Sequence, residues 1–224
     1  MTMINDIERE CSVCGEKSMQ PTLMSTNSWG YPDLDLRPPE MQRSTMHVWI
    51  QECPNCGYVA GRLTDELEIP KDFLKSDEYL NCEGNDFKSD LSKRFYKLHM
   101  IGRESGNAEK AFYSLRNCIW KCDDVQDELA VEMRKRAVEL ADELIERDTE
   151  DKEILILMKA DFLRRSGQFD RLVEEYENIA LDDENSNKVL RYQIEKAKEQ
   201  DDKCYTTEEI FSQIINLFFY FFLK

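Results

Sequence analysis

Two short stretches carry the chemistry of this sequence: Glu10-Cys11-Ser12-Val13-Cys14-Gly15 and Glu52-Cys53-Pro54-Asn55-Cys56-Gly57-Tyr58. Each holds two cysteines three apart followed by a glycine, and 38 residues separate Cys14 from Cys53. Two thiolates at this spacing grip one ion from a single tight turn, and the glycine supplies the positive φ such a turn tends to need. Together the turns make a four-thiolate set suited to Zn2+, which takes four tetrahedral ligands and binds soft sulfur. Cys11, Cys14, Cys53 and Cys56 are therefore the expected metal ligands. Four cysteines fill the shell and leave no position for an activated water. The expected role is a structural staple, and no catalytic residue is assigned.

Other residues invite a chemical reading. The stretch from Gly30 to Arg43 offers Asp33, Asp35 and Glu40, which have the chemistry to hold a hard cation, and Arg37 and Arg43, which suit a carboxylate or phosphate. The competing reading has these charges pair locally and pin the loop to the cysteine module, as charged loop residues commonly do. His47 is read as a strand residue, because four cysteines already complete a shell. Cys118 and Cys122 stand at i, i+4 but share the apolar stripe of a helix, so they are read as core thiols. Cys82 and Cys204 have no partners at ligand spacing and are read as incidental.

The knuckles need strands to hold them. A short strand is expected near Gln20–Met24, another from Thr45 to Gln51, and a third leaving the second knuckle over Tyr58–Leu63, where β-branched and aromatic residues gather. Three prolines in 30–43 exclude a regular helix or central strand there. The expected organisation is a zinc-ribbon module over 1–63, a linker with a short helix opened by Pro70 over 64–87, a helical domain over 88–204, and an apolar helix over 205–224. In the helical part, Ala108, Ala111, Phe112, Leu115, Cys118, Ile119 and Cys122 recur at three- and four-residue steps. Further helices are expected over 125–147, 150–165, 170–181 and 185–200, with a break at Asp148-Thr149 and a tight turn at Ser166-Gly167-Gln168-Phe169. The fold class is α+β, mostly α: a small N-terminal β ribbon, then antiparallel helical hairpins. The window 154–179 has a tetratricopeptide-like pattern, with Ala160 at a small position and Gly167 in the turn, while Leu172 departs from it.

Composition narrows the function. Asp and Glu number 46 against 30 Lys and Arg, a net charge of −16 spread along the chain. That opposes phosphate-backbone binding, so nucleic acid is not an expected partner. Metal-spaced cysteines and a start without the pattern of a secretory signal fit a reducing cytoplasm. No stretch reaches the ~18 apolar residues of a membrane span. The run 210–223 is strongly apolar, and it is read as a closing helix, with a partner or membrane-surface patch as alternatives.

The runs 31–46 (Tyr-Pro-Asp-Leu-Asp-Leu-Arg-Pro-Pro-Glu-Met-Gln-Arg-Ser-Thr-Met) and 49–58 (Trp-Ile-Gln-Glu-Cys-Pro-Asn-Cys-Gly-Tyr) resemble a bacterial family of unknown function. That resemblance implies a zinc ribbon joined to a tetratricopeptide-like helical region, with the four named cysteines as ligands. It carries no activity. The function expected is a zinc-binding adaptor whose helical surface meets a protein or peptide partner, and not an enzyme. The alternatives are an enzyme or ligand-binding site built on Asp33, Asp35, Arg37, Glu40 and Arg43, and a thiol-based redox sensor.

Overall fold

A computed structural model of the chain describes residues 1–147 and 151–211. The break expected at Asp148-Thr149 and most of the apolar helix expected over 205–224 lie outside the described residues. Among the described residues the chain is mostly helical, with two small antiparallel sheets. It divides into two compact units that do not follow its linear order. Unit 1 is formed by 1–28 and 41–133, and unit 2 by 29–40 and 134–224. No described helix is long and apolar enough to cross a membrane.

Unit 1 begins with a hairpin. Strand β1 (Met3–Glu10) pairs antiparallel with β2 (Lys17–Ser25), closing at Glu10↔Lys17. The first knuckle is therefore a hairpin loop. The second is another, between β3 (Gln51–Glu52) and β4 (Val59–Ala60), which pair Glu52↔Val59. Strand β2 is longer than the Gln20–Met24 expected, and β1 has no signal in its Asn, Asp, Glu and Arg content, since such residues are poor strand formers.

The strand expected over Thr45–Gln51 is instead a 3-10 helix over Arg43–Val48, followed only by β3. Local hydrogen bonds win over β propensity there. The Thr45 hydroxyl donates to the Gln42 carbonyl at 2.7 Å, and the Trp49 indole donates to Thr45 Oγ1 at 2.9 Å. The strand expected over Tyr58–Leu63 shrinks to β4. Pro70 does open a turn, a 3-10 helix over Lys71–Lys75 that runs into α1 (Asp77–Leu80).

Two long helices complete unit 1. In α2 (Asp90–Glu104) the Ser89 hydroxyl caps the amide of Leu91, and in α3 (Ala108–Asp124) Asn107 caps that of Lys110. The two pack closely and bury Phe95, Tyr96, Phe112, Leu115, Ile119 and Trp120. Gly102 permits this approach. A Cβ there would stand 2.5 Å from the backbone nitrogen of Ala111. Strand β4 packs on α2, and Glu52 at the end of β3 pairs with Arg94 at 2.9 Å and Lys97 at 3.4 Å. The ribbon thus sits on a helix by packing and by charge.

The unit boundary falls within α4 (Leu129–Glu146), whose later residues join unit 2. There α5 (Lys152–Arg165), α6 (Phe169–Tyr176) and α7 (Glu184–Lys198) pack on one another. Helix α5 is buried along 155–164, as expected of a helix surrounded by neighbours. Gly167, at φ +75°, ends it, with the Gln168 amide donating back to the Leu163 carbonyl. Even Lys159 is buried on α5, and it is held by Asp142 and Glu175.

Candidate metal centre

The two knuckles are built alike. In the first, the Gly15 amide donates to the Cys11 carbonyl at 2.8 Å and the Cys11 amide to the Glu16 carbonyl at 2.8 Å. In the second, Gly57 donates to Cys53 at 3.0 Å and Cys53 to Tyr58 at 2.9 Å. Gly15 and Gly57 take φ +75° and +70°, so the glycine at each position is required by the turn. Cross-links fix one knuckle against the other. The Gln20 side-chain amide donates to the Glu52 carbonyl at 3.2 Å, and the Ser12 amide to the Leu63 carbonyl at 2.9 Å. The Tyr79 hydroxyl donates to the Gly57 carbonyl at 2.9 Å, and Lys71 Nζ to the Val13 carbonyl at 2.7 Å.

This framework gathers Cys11, Cys14, Cys53 and Cys56 with all four sulfurs within 4.8 Å of one another. Cys11 Sγ lies 3.7 Å from Cys56 Sγ, and Cys14 Sγ lies 3.6 Å from Cys53 Sγ. A disulfide would bring sulfurs to about 2.05 Å, so these are four free thiols. Tetrahedral metal–thiolate bonds of about 2.3 Å place ligand sulfurs roughly 3.8 Å apart. The cluster fits one thiophilic, four-coordinate ion held structurally.

Backbone amides address the sulfurs. Cys14 is lowered to about 7, chiefly by the Glu16 amide that donates to it. Burial pushes Cys11 and Cys56 up instead, against amide bonds from Cys14 and Val13 in one case and Tyr58 in the other. Crowded thiols resist becoming four thiolates on their own, and a divalent cation removes that conflict by its charge.

Residues 29–40 belong to unit 2. Asp33, Asp35 and Arg37 are buried, at 3%, 0% and 6% exposure, while Glu40 is exposed. Arg43 is half-buried and belongs to unit 1, so the five residues do not share a unit. The Asp33 amide donates to the Arg37 carbonyl at 3.0 Å, the Arg37 amide to Asp35 Oδ1 at 3.2 Å, and the Leu36 amide to the Asp33 carbonyl at 2.9 Å. Leu36 takes φ +65°, uncommon for a bulky residue. The loop also pairs with 205–207. Leu34 donates to the Tyr205 carbonyl at 3.0 Å and Thr207 to the Pro32 carbonyl at 2.9 Å, an antiparallel bridge at Asp33↔Thr206.

The charges of α5 that meet Asp35 and the 201–203 segment had no assigned role in the sequence. Arg165 lies 3.7 Å from Asp35 and 3.6 Å from Asp161. Arg164, fully buried, donates to Asp161 Oδ1 at 2.7 Å and to the carbonyls of Asp201 and Lys203 at 3.0 and 2.6 Å. The available signal was Asp161, Arg164 and Arg165 at i, i+3 and i+4, following the apolar run Ile154–Met158 of the same helix. The remaining candidates resolve simply. His47 is exposed, on the 3-10 helix, with Nδ1 3.2 Å from the Ser44 carbonyl. Cys118 and Cys122 lie in the core of α3, and Cys82 is buried as well, whereas Cys204 is exposed. No protein-family model matches the chain, and no curated protein or solved structure is significantly similar to it.

Proposed function

We propose that the chain is a cytoplasmic zinc-binding adaptor. The ion is Zn2+, held by Cys11, Cys14, Cys53 and Cys56 as a structural staple. The single observation that carries this reading is the convergence of four sulfurs from two glycine-ended knuckles within 4.8 Å. An all-thiolate shell selects zinc over hard ions such as Mg2+ or Ca2+. The two hairpins that carry the cysteines are short and bury little apolar surface of their own, so the ion contributes a large part of their stability.

The tetratricopeptide-like hairpins of unit 2 are the partner-facing part. A groove of about 400 Å3 runs along α6 and α7, lined by half-buried Phe169 and Val173, by Asp170 and Glu174, and by Lys198, whose charge is met by Glu177. That chemistry suits a protein segment bearing apolar and basic side chains. Asp35 faces Arg165 of α5, and the loop backbone holds 205–207 through Leu34 and Pro32, which favours the adaptor over a site built on the loop. Elemental analysis of the purified chain is expected to find one zinc per chain. A bound protein is expected to be lost on Val173→Arg with the fold intact. Absence of metal, or binding indifferent to Val173→Arg, sinks the corresponding half of the proposal.

A further inference from the structure

The four sulfurs differ in access. Cys11 and Cys53 are each 1% exposed, whereas Cys14 is exposed and Cys56 half-buried. A cavity of about 570 Å3 opens against the cluster, and it is lined by Cys14 and Cys56 but not by the two buried cysteines. Lys71 and Lys75 also line it, two ammonium groups on a chain of net charge −16. Partly exposed thiolates in positive surroundings are the reactive ones toward oxidants. Each accessible sulfur lies beside a buried one of the other knuckle, Cys14 at 3.6 Å from Cys53 and Cys56 at 3.7 Å from Cys11.

We propose that Cys14 is an oxidation site, and that a hydroperoxide entering this cavity converts the metal centre into a Cys14–Cys53 disulfide joining the two knuckles. The proposal rests on the metal-binding reading above. The Cys14 thiolate attacks the outer peroxide oxygen, the O–O bond breaks, and the leaving oxygen departs as water or an alcohol after taking a proton. Cys14 becomes a sulfenic acid. The Cys53 thiolate attacks that sulfur, the S–S bond forms, and hydroxide leaves as water with a second proton. Two thiolates are thereby oxidised by two electrons and one peroxide is reduced. Cys11 and Cys56 alone do not complete a tetrahedral shell, so the ion departs. The oxidised unit keeps a covalent link where the ion had been.

The test uses the full chain loaded with zinc. Hydrogen peroxide is added while a chromogenic chelator reads the released ion and non-reducing peptide mapping reads the cross-links. One ion lost per chain is expected, with Cys14–Cys53 as the first linked pair and the fully buried Cys118 and Cys122 still reduced. A first cross-link within one knuckle, Cys11–Cys14 or Cys53–Cys56, overturns the proposal, as does zinc retained under excess peroxide. Leu80→Trp enlarges a side chain of the cavity wall and leaves all four cysteines in the sequence. It is expected to slow release several-fold, and an unchanged rate overturns the access route. If the purified chain takes up no zinc, the metal-binding reading fails, and mapping of the same peroxide reaction still decides whether Cys14–Cys53 forms.

Discussion

Gly102→Ala sets two physical effects against each other. Glycine inside a helix costs roughly 0.5–1 kcal/mol relative to alanine, so helix propensity alone makes the substitution stabilising. Packing says the reverse. The new Cβ would stand 2.5 Å from the backbone nitrogen of Ala111, 2.9 Å from its Cα and 3.0 Å from the carbonyl carbon of Lys110. Ordinary contact would place these atoms about 1 Å farther away, and backbone atoms have no rotamer by which to yield. Helices α2 and α3 would have to separate, loosening the layer that holds Phe95, Tyr96, Phe112 and Leu115. Overpacking of this kind costs about 1–3 kcal/mol, and an immovable obstacle belongs at the upper end. With the propensity gain subtracted, the net destabilisation is roughly 2 kcal/mol, or a fall in Tm of about 4–8 °C for a chain of this size. Thermal and urea unfolding read it directly, the latter as a lower midpoint at unchanged slope. Ala111→Gly does not rescue the variant, because the obstructing atoms are backbone. A Gly102→Ala chain with equal or higher Tm refutes the close-approach argument outright.

Three other outcomes are expected. Zinc at one hundred times its dissociation constant stabilises the chain by about 2.7 kcal/mol through mass action, and a chelator returns Tm to the metal-free value; a Tm indifferent to both contradicts a structural ion. Arg164→Met removes the donor to Asp161, Asp201 and Lys203 and costs about 3–5 kcal/mol, as breaking a buried ion pair does; trypsin is expected to cut faster after Lys203, and unchanged cleavage shows that the segment is held by other means. Burial alone would raise the Glu83 carboxyl, but the Tyr96 hydroxyl and the Arg103 guanidinium outweigh it and hold its pKa below the ordinary value. A group depressed in the folded state stabilises above its unfolded pKa, and that contribution disappears as pH falls through the folded one. Glu83→Gln is therefore expected to cost about 1 kcal/mol at pH 7, after allowance for partial exposure, and progressively less as pH falls through the acid range; a pH-independent loss contradicts the assignment.

What the sequence made legible was local. The cysteine spacing with its two glycines located the four sulfurs, because a metal knuckle is a single turn and needs no tertiary context. The stripe through Ala111, Leu115 and Cys118 located α3 for a similar reason. Position Gly102 was opaque, since glycine within a helix reads as a liability until the neighbouring backbone is present. The strand expected at Thr45–Gln51 failed because the Thr45 hydroxyl and the Trp49 indole satisfy a local turn, and propensity does not register such bonds. For the charges of 30–43, the α5 partner of Asp35 was not legible. That partner, Arg165, stands more than a hundred residues away, and charge type alone does not say which opposite charge is met.

That distant partnership has a consequence for how the chain is made. Both knuckles have emerged by residue 58, so a ribosome-bound chain already carries all four thiolates. Residues 29–40, lying between them, wait for α5 and for 205–207 before Leu34 and Asp35 find their places. At about 5–20 residues per second, that wait is on the order of ten seconds or more. The same dependence limits dissection of the protein. A fragment starting at residue 134 lacks the loop segment that bonds to Tyr205, and a synthetic peptide spanning 29–40, supplied in trans, is the piece that would complete it.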